Sequence, residues 1–255
     1  MKSPLRYPGG KTRAVKILEK YVPHGAHTVV SPFFGGGSFE IALAKRGFRV
    51  KANDLFFPLY TFWTTLQKYP TELAQTVQRQ MPVSKEVFHS LRRGISNIDG
   101  PLDIAASYFI INRCSFNGST FCGGFSSAAA SGRLTESSLK TLKDIRLDQF
   151  EFSNLDACDF LATCPETPGV FVYADPPYYI SSYIYGKDGD LHESFDHEKF
   201  ARVIKQRNDW VLSYNDCEYI RKLYSDCTIC EEKWSYGMNA SKASSEIVIY
   251  KRRHN

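Results

Sequence analysis

Gly169-Val-Phe-Val-Tyr-Ala-Asp-Pro-Pro-Tyr178 is the stretch on which the reading of this chain turns. Its first six residues are a short apolar run rich in β-branched and aromatic side chains, which predicts a buried strand. Consecutive prolines cannot donate to a ladder and do not readily start a helix, so the strand must stop there. A carboxylate (Asp175), the carbonyls of Pro176 and Pro177 with no competing N–H, and the ring of Tyr178 are then held at a strand's carboxyl end. That is where open α/β sheets bind ligands. A flat heterocycle with an exocyclic amine suits such a group: oxygen acceptors meet the –NH2 hydrogens, and the ring stacks on Tyr178.

Working outward, Thr28-Val-Val-Ser31 is a short strand, followed by the turn Pro32-Phe-Phe-Gly-Gly-Gly-Ser38 and a helix over 39–46 that Gly47 can cap. Phe48–Ala52 is a second strand ending at Asn53-Asp54. Strand, glycine turn, helix, strand and acid make the first βαβ unit of a nucleoside-binding sheet. The glycines Gly35, Gly36 and Gly37 let the backbone approach a ligand, and Asp54 stands where an acid takes ribose hydroxyls. The turn is not GxGxxG, which argues against a dinucleotide. Gly9-Gly10-Lys11 resembles a phosphate loop but lacks P-loop spacing and a preceding strand, so ATP binding is rejected.

From Asp54 to Asp175 the chain runs for about 120 residues, and two α/β units would use roughly 60 of them. The remainder is an inserted subdomain with helices over 59–68, 72–80, 85–93 and 102–111. A Gly-, Ser-, Asn- and Phe-rich loop, Asn112 to Ser126, follows; its length points to function, and Phe116, Phe121 and Phe125 argue against disorder. Further on, 150–153 reads as a strand, 181–193 as a polar loop, 195–207 as a helix, 210–214 as a strand, 218–224 as a helix and 246–251 as a closing strand.

At 255 residues, 43% hydrophobic and 23% charged, the chain has the composition of a soluble globule. It has no run of eighteen apolar residues, and no hydrophobic segment follows Met1-Lys2-Ser3-Pro4, so neither secretion nor membrane spanning is expected. Seven cysteines without a signal segment read as reduced thiols in a cytoplasm, and the lone pair Cys227/Cys230 as ordinary thiols rather than a metal site. Six of the first twenty residues are Lys or Arg, and Lys251-Arg252-Arg253 closes the chain; such clusters suit phosphate contacts.

The order Tyr-Pro-Gly-Gly-Lys (7–11), Pro-Phe-x-Gly-Gly-Gly-Ser (32–38), Asn-Asp (53–54), Asn-Arg-x-x-Phe-Asn-Gly (112–118) and Asp-Pro-Pro-Tyr (175–178) resembles the Dam-like (D12 class, α group) DNA adenine-N6 methyltransferases from residue 4 to about 250. The resemblance implies an α/β, Rossmann-like S-adenosylmethionine-dependent methyltransferase sheet formed by 1–56 and 150–255. The insert, 57–149, becomes a mainly helical target-recognition domain. Tyr7, Lys11, Pro32, Phe33, Gly35, Gly36, Gly37, Asp54 and Asp175 would line the cofactor site. Asp175, Pro176, Pro177 and Tyr178 would be catalytic, with Tyr179 a second stacking ring. Asn112, Arg113, Phe116 and Asn117 would contact DNA, Phe116 as a wedge between base steps. No metal and no covalent intermediate are implied.

The implied reaction moves the methyl of S-adenosylmethionine to N6 of an adenine flipped out of double-stranded DNA. Alternatives on the same scaffold are cytosine N4, an RNA base, or an inactive DNA-binding relative. A monomer is compatible with the chain, as is a restriction nuclease acting separately. Two departures from the family stand out. Ser31 replaces an acid that would bind the cofactor's ammonium, and the sequence after Gly118 lacks the arginine of GATC readers, which puts GATC specificity in doubt.

Overall fold

A computed structural model describes residues 2–7, 9–179, 195–234 and 244–252. The expected polar loop 181–193 lies outside them, as do Pro8 and Arg253. Along the chain run α1 (Val15–Leu18), β1 (Thr28–Ser31), α2 (Ser38–Ala44), β2 (Arg49–Asn53), α3 (Phe57–Lys68), α4 (Pro70–Arg79), α5 (Lys85–Gly94), α6 (Pro101–Cys114), α7 (Ser127–Arg133) and α8 (Glu136–Asp144). Then come β3 (Phe150–Ser153), α9 (Ala157–Thr163), β4 (Val170–Ala174), α10 (His197–Lys205), β5 (Trp210–Asn215), α11 (Glu218–Leu223), β6 (Thr228–Trp234) and β7 (Ser244–Lys251). Two compact units result: residues 2–7 with 56–148, and 9–55 with 149–179 and the described residues from 195 onward.

The second unit is a seven-stranded sheet in the order β3-β2-β1-β4-β5-β7-β6. Strands β1 to β5 pair in parallel, Val30 opposite Lys51 on one side and Val172 on the other. β7 runs antiparallel between β5 and β6. A central parallel sheet needs strands that are apolar on both faces. β1 accordingly is buried along its whole length, and β4 almost so. Val172, Ala174, Phe160, Leu161, Phe200, Ile204, Trp210 and Ile249 belong to one continuous core. β1 has β2 on one side and β4 on the other, so the chain reverses its direction of travel across the sheet there. The carboxyl ends of these two strands form the switch-point crevice where such sheets take ligands.

Only one α/β unit, β3-α9-β4, lies between the insertion and Asp175, where the sequence reading allotted two. The helical unit itself replaces the connection from β2 to its sheet neighbour β3 and takes up residues 56–148 between them. Helices α7, α8 and α9 and strand β6 were not anticipated. α7 is Ser-Ala-Ala-Ala-Ser-Gly-Arg, with too few apolar side chains for a periodic signal, although α8 opens with a capping box between Thr135 and Ser138. The basic N-terminal stretch is a broken run: 3-10 turns at Lys11–Arg13 and Glu19–Tyr21 flank α1.

In the helical unit α6 is the central rod, buried from Ala105 to Asn112. Phe109 stacks on Phe62 of α3 at 5.8 Å and an interplanar angle of 3°. Gly100, at φ +92°, turns the chain into Pro101, whose fixed φ starts α6. Residues 2–7 group with this unit, whereas the sequence reading assigned them to the sheet domain. The reason is Asn112, which grips Arg6 as if it were a neighbouring strand: its Oδ1 accepts from Arg6 N (3.0 Å) and its Nδ2 donates to Arg6 O (2.6 Å). Among the described residues no helix is long and apolar enough to cross a membrane.

Candidate active site

Asp175 sits one residue beyond β4, at the switch point. Its carboxylate receives the Lys11 ammonium on both oxygens (2.6 and 2.5 Å), and Ser213 Oγ of β5 on Oδ1 (2.8 Å). Ser213 Oγ lies 3.2 Å from Tyr173 OH. Lys11 is buried, only 4% exposed, and its Nζ also donates to Gly9 O (3.0 Å) and stands 5.0 Å from the centre of the Tyr178 ring. A carboxylate offers about four lone-pair directions. Two are taken on Oδ1 and one on Oδ2, so Oδ2 keeps capacity for a further donor.

The two tyrosines after the prolines are placed differently. Tyr178 is buried, and its hydroxyl donates to Glu246 Oε2 of β7 (2.8 Å), so the ring is pinned at its far end. Tyr179 is 49% exposed and stacked on Tyr219 at 4.3 Å, and its carbonyl accepts from Asn215 Nδ2 (3.0 Å). Behind this pair His197 Nδ1 and Tyr214 OH are 2.7 Å apart.

The glycine turn is built tightly. Gly35 and Gly37 have φ of +50° and +61°, a region that side chains with a Cβ avoid. A Cβ on Gly37 would stand 2.3 Å from the Phe34 ring, which is itself wedged edge-on against Phe150 and Phe152. Gly35 N donates to Asp54 Oδ2 (2.9 Å), which ties the end of β2 to the turn. Asn53 completes the tie by donating to Pro32 O (3.1 Å). Pro32 is buried, and Phe33 packs edge-on against Phe195 and Phe200.

Ser31 ends β1 and is fully buried. Its hydroxyl donates to Glu40 Oε1 at 2.6 Å, from α2, the helix that follows the turn. Glu40 is itself buried among Phe39, Ile41, Leu43 and Ala44. Burial pushes its carboxyl up to about 7; the Ser31 bond and the residue's own amide pull it down, the Asp175 charge pushes it up, and Lys11 pulls it down. Sequence reasoning passed over Glu40, Ser213 and Glu246. A lone acid inside an apolar helix turn was the available signal for Glu40; nothing local marks the other two, which the sheet order brings to Asp175 and Tyr178.

In the helical unit Asn112 is wholly buried and its amide is used internally, with a third bond from Nδ2 to Thr120 Oγ1 (3.0 Å). It braces the loop from within, tying it to Arg6 and Thr120. Arg113 lies over Phe109 at 5.6 Å, and its Nε has no partner among the described residues. Burial pulls its guanidinium down to about 10, helped by the nearby charges of Arg6 and Arg133. Phe116 is 61% exposed at the loop tip, while Phe121 is buried and Phe125 packs against Phe88. Asn117 adopts a left-handed φ of +52°. The loop is closed by Phe116 N to Gly124 O (2.8 Å) and Ser126 N to Cys114 O (2.9 Å). Tyr7 belongs to this unit, not to the sheet.

The residues at the sheet's switch point fit an adenosine carrying a methionine. Asp54 brings a carboxylate to the end of β2, the turn is closed to any Cβ at Gly37, and Glu40 and Asp175 add two further acids near the strand ends. Among the described residues no group of three His, Cys, Asp or Glu could hold a metal ion, and no disulfide joins the cysteines.

Set beside known proteins, the sequence matches the family described as D12 class N6 adenine-specific DNA methyltransferase over residues 7–238. It is similar to the type II methyltransferase M.CviBI of Paramecium bursaria Chlorella virus NC1A, with 21% identity over 265 residues, 97% of this chain and 96% of that one. It is also similar to the modification methylase StsI of Streptococcus sanguinis, with 26% identity over 74% of this chain but 31% of that one.

Proposed function

The chain belongs to the D12 class N6 adenine-specific DNA methyltransferases, and from that premise we propose how its residues divide the reaction. The enzyme methylates N6 of an adenine in DNA with S-adenosylmethionine, which supplies an electrophilic sulfonium methyl. The base leaves the helix to be reached.

The N6 lone pair of adenine is delocalised into the ring, so the amine is a poor nucleophile. In the proposed reading Asp175 Oδ2 and the Pro176 carbonyl accept its two hydrogens, which favours a pyramidal nitrogen with its lone pair localised toward the methyl. Lys11 and Ser213 hold the Asp175 carboxylate in one orientation. Pro177 keeps the strand end rigid. Tyr178, anchored by Glu246, forms the wall of the base pocket, and exposed Tyr179 offers a face for stacking. The gain comes from positioning and electrostatics, with no covalent intermediate.

On the cofactor side, Asp54 takes the ribose, and Pro32, Phe33, Gly35, Gly36 and Gly37 wrap the ligand. Tyr7 is assigned there on its motif alone. The helical unit is the target-recognition domain. Arg113, with Arg6 and Arg133, is a cluster of guanidiniums with a shared need for an anion, which a DNA phosphate meets. Phe116 is the wedge, and Asn117 contacts DNA beside it. The departure after Gly118 keeps GATC specificity in doubt, and a monomeric state, a cytoplasmic place of work and a separately acting restriction nuclease are compatible with the reading.

The observation that carries this proposal is the Asp175 carboxylate fixed by Lys11 and Ser213 at the switch point, with acceptor capacity remaining on Oδ2. Labelled methyl transfer to unmethylated DNA, with the mark mapped by sequencing, tests it. Asp175→Asn is expected to lose roughly a hundredfold or more in transfer rate while still binding S-adenosylhomocysteine. Full activity in that variant would refute the role given to Asp175.

A further inference from the structure

Lys11, Asp175 and Glu40 come together at the carboxyl ends of β1 and β4, and their charges do not balance. Lys11 bonds both oxygens of Asp175, so the local cation is already committed. Glu40, 3% exposed, has the Ser31 hydroxyl as its side-chain hydrogen-bond donor. With Glu40 ionised the trio carries one negative charge in excess, in a setting where an uncompensated charge is costly. The hydroxyl of Ser31 spends its one proton on Glu40, which leaves its oxygen polarised as an acceptor. A ligand N–H cation at this strand end would therefore meet an oxygen with a full negative charge behind it.

We propose that Glu40, acting through Ser31, is the counter-charge for the α-ammonium of the cofactor's methionine part. The assignment rests on the reading of the switch point as the cofactor site. It makes Glu40 a positioning residue, and it resolves the missing acid at position 31: the charge is supplied from α2, nine residues on, instead of from the strand end. An ammonium is preferred over the sulfonium because it has N–H groups for Ser31 to accept. The charged groups facing Glu40 are Asp175, which follows β4, and Lys11, of the turn before α1. Ligand binding should draw the carboxyl to its ionised form and expel the proton it otherwise holds near neutrality.

Calorimetry in buffers of differing ionisation enthalpy, on the full chain, reads this without turnover. S-adenosylhomocysteine, which has the ammonium but no sulfonium, is expected to release about half a proton on binding at pH 7, because Glu40 titrates at about 7 in its absence. 5′-Methylthioadenosine, which lacks the amino-acid part, is expected to bind without that release. In Glu40→Gln the release disappears and the affinity for S-adenosylhomocysteine falls roughly tenfold or more, while 5′-methylthioadenosine is held as before. Proton release in the wild type that is equal for both ligands overturns the proposal, and this comparison needs no variant to fold. An unchanged affinity and proton count in Glu40→Gln overturns it as well. Failure of the wild type to bind either ligand overturns the cofactor-site reading itself, an outcome distinct from binding without a Glu40 signal.

Discussion

Replacing Glu40 with glutamine keeps the shape of the side chain and removes its proton equilibrium, which makes the ligand-free stability of the protein a direct readout of that buried carboxyl. The folded chain holds the carboxyl at about 7, against an ordinary value of 4.5. Over that interval the folded state binds a proton that the unfolded state has shed, so stability falls as pH rises from about 4.5 to about 7 and is level beyond. At about 1.4 kcal/mol per pH unit the loss attributable to this one group is about 3 kcal/mol. The stability contribution of the protonated form is complete below pH 4.5 and gone above pH 7. Urea unfolding of wild type and Glu40→Gln, followed by tryptophan emission at pH 5 and pH 8, isolates the effect, because every other titrating group is common to both proteins. The variant is expected to gain about 2–3 kcal/mol on the wild type between the two pH values. A difference between the two proteins that stays constant from pH 5 to pH 8 would refute the reasoning, since Glu40 would then titrate alike in both states.

Gly37→Ala is expected to lose about 2 kcal/mol or more of stability, because alanine resists a φ of +61° and its Cβ would displace the Phe34 ring from Phe150 and Phe152; the urea midpoint checks this, and S-adenosylhomocysteine affinity should fall with it. Asn112→Ala removes three hydrogen bonds, two of them to the backbone of Arg6, and is expected to cost about 2 kcal/mol or more. Faster proteolysis near residues 2–7 and 115–126 and weaker DNA retention would report the loosened loop. Ellman's reagent should reach exposed Cys122 first and leave buried Cys114 and Cys164 unmodified until unfolding, Cys114 being pushed up to about 12 by burial.

Much of the sheet was legible because its signals are local. An apolar run ended by two prolines, a glycine turn between a strand and a helix, and an acid at the next strand's end each follow from residue chemistry over a few positions. β1, β2, β3, β4, β5 and β7 lie within about two residues of the segments read from sequence. β6 escaped because Thr-Ile-Cys-Glu-Glu-Lys-Trp mixes exposed and half-buried positions, as an edge strand does, and lacks a strong apolar pattern.

The same division runs through the site. The sequence by itself singled out Asp175, Tyr178, Lys11, Asp54 and the glycine turn, because each sits in a short motif legible from a few neighbouring residues. Only the tertiary structure decided what those groups face. It set Lys11 and Ser213 on Asp175, tied Tyr178 to Glu246, turned Asn112 inward to clamp Arg6, and buried Glu40 behind Ser31. Each of these pairings joins separate elements, and in the pairs at Asp175, Tyr178 and Arg6 the partners lie 38, 68 and 106 residues apart, or more. Charge and hydrogen bonding act over a few ångströms of space, and which residues share that space is set by strand order and packing, not by distance along the chain.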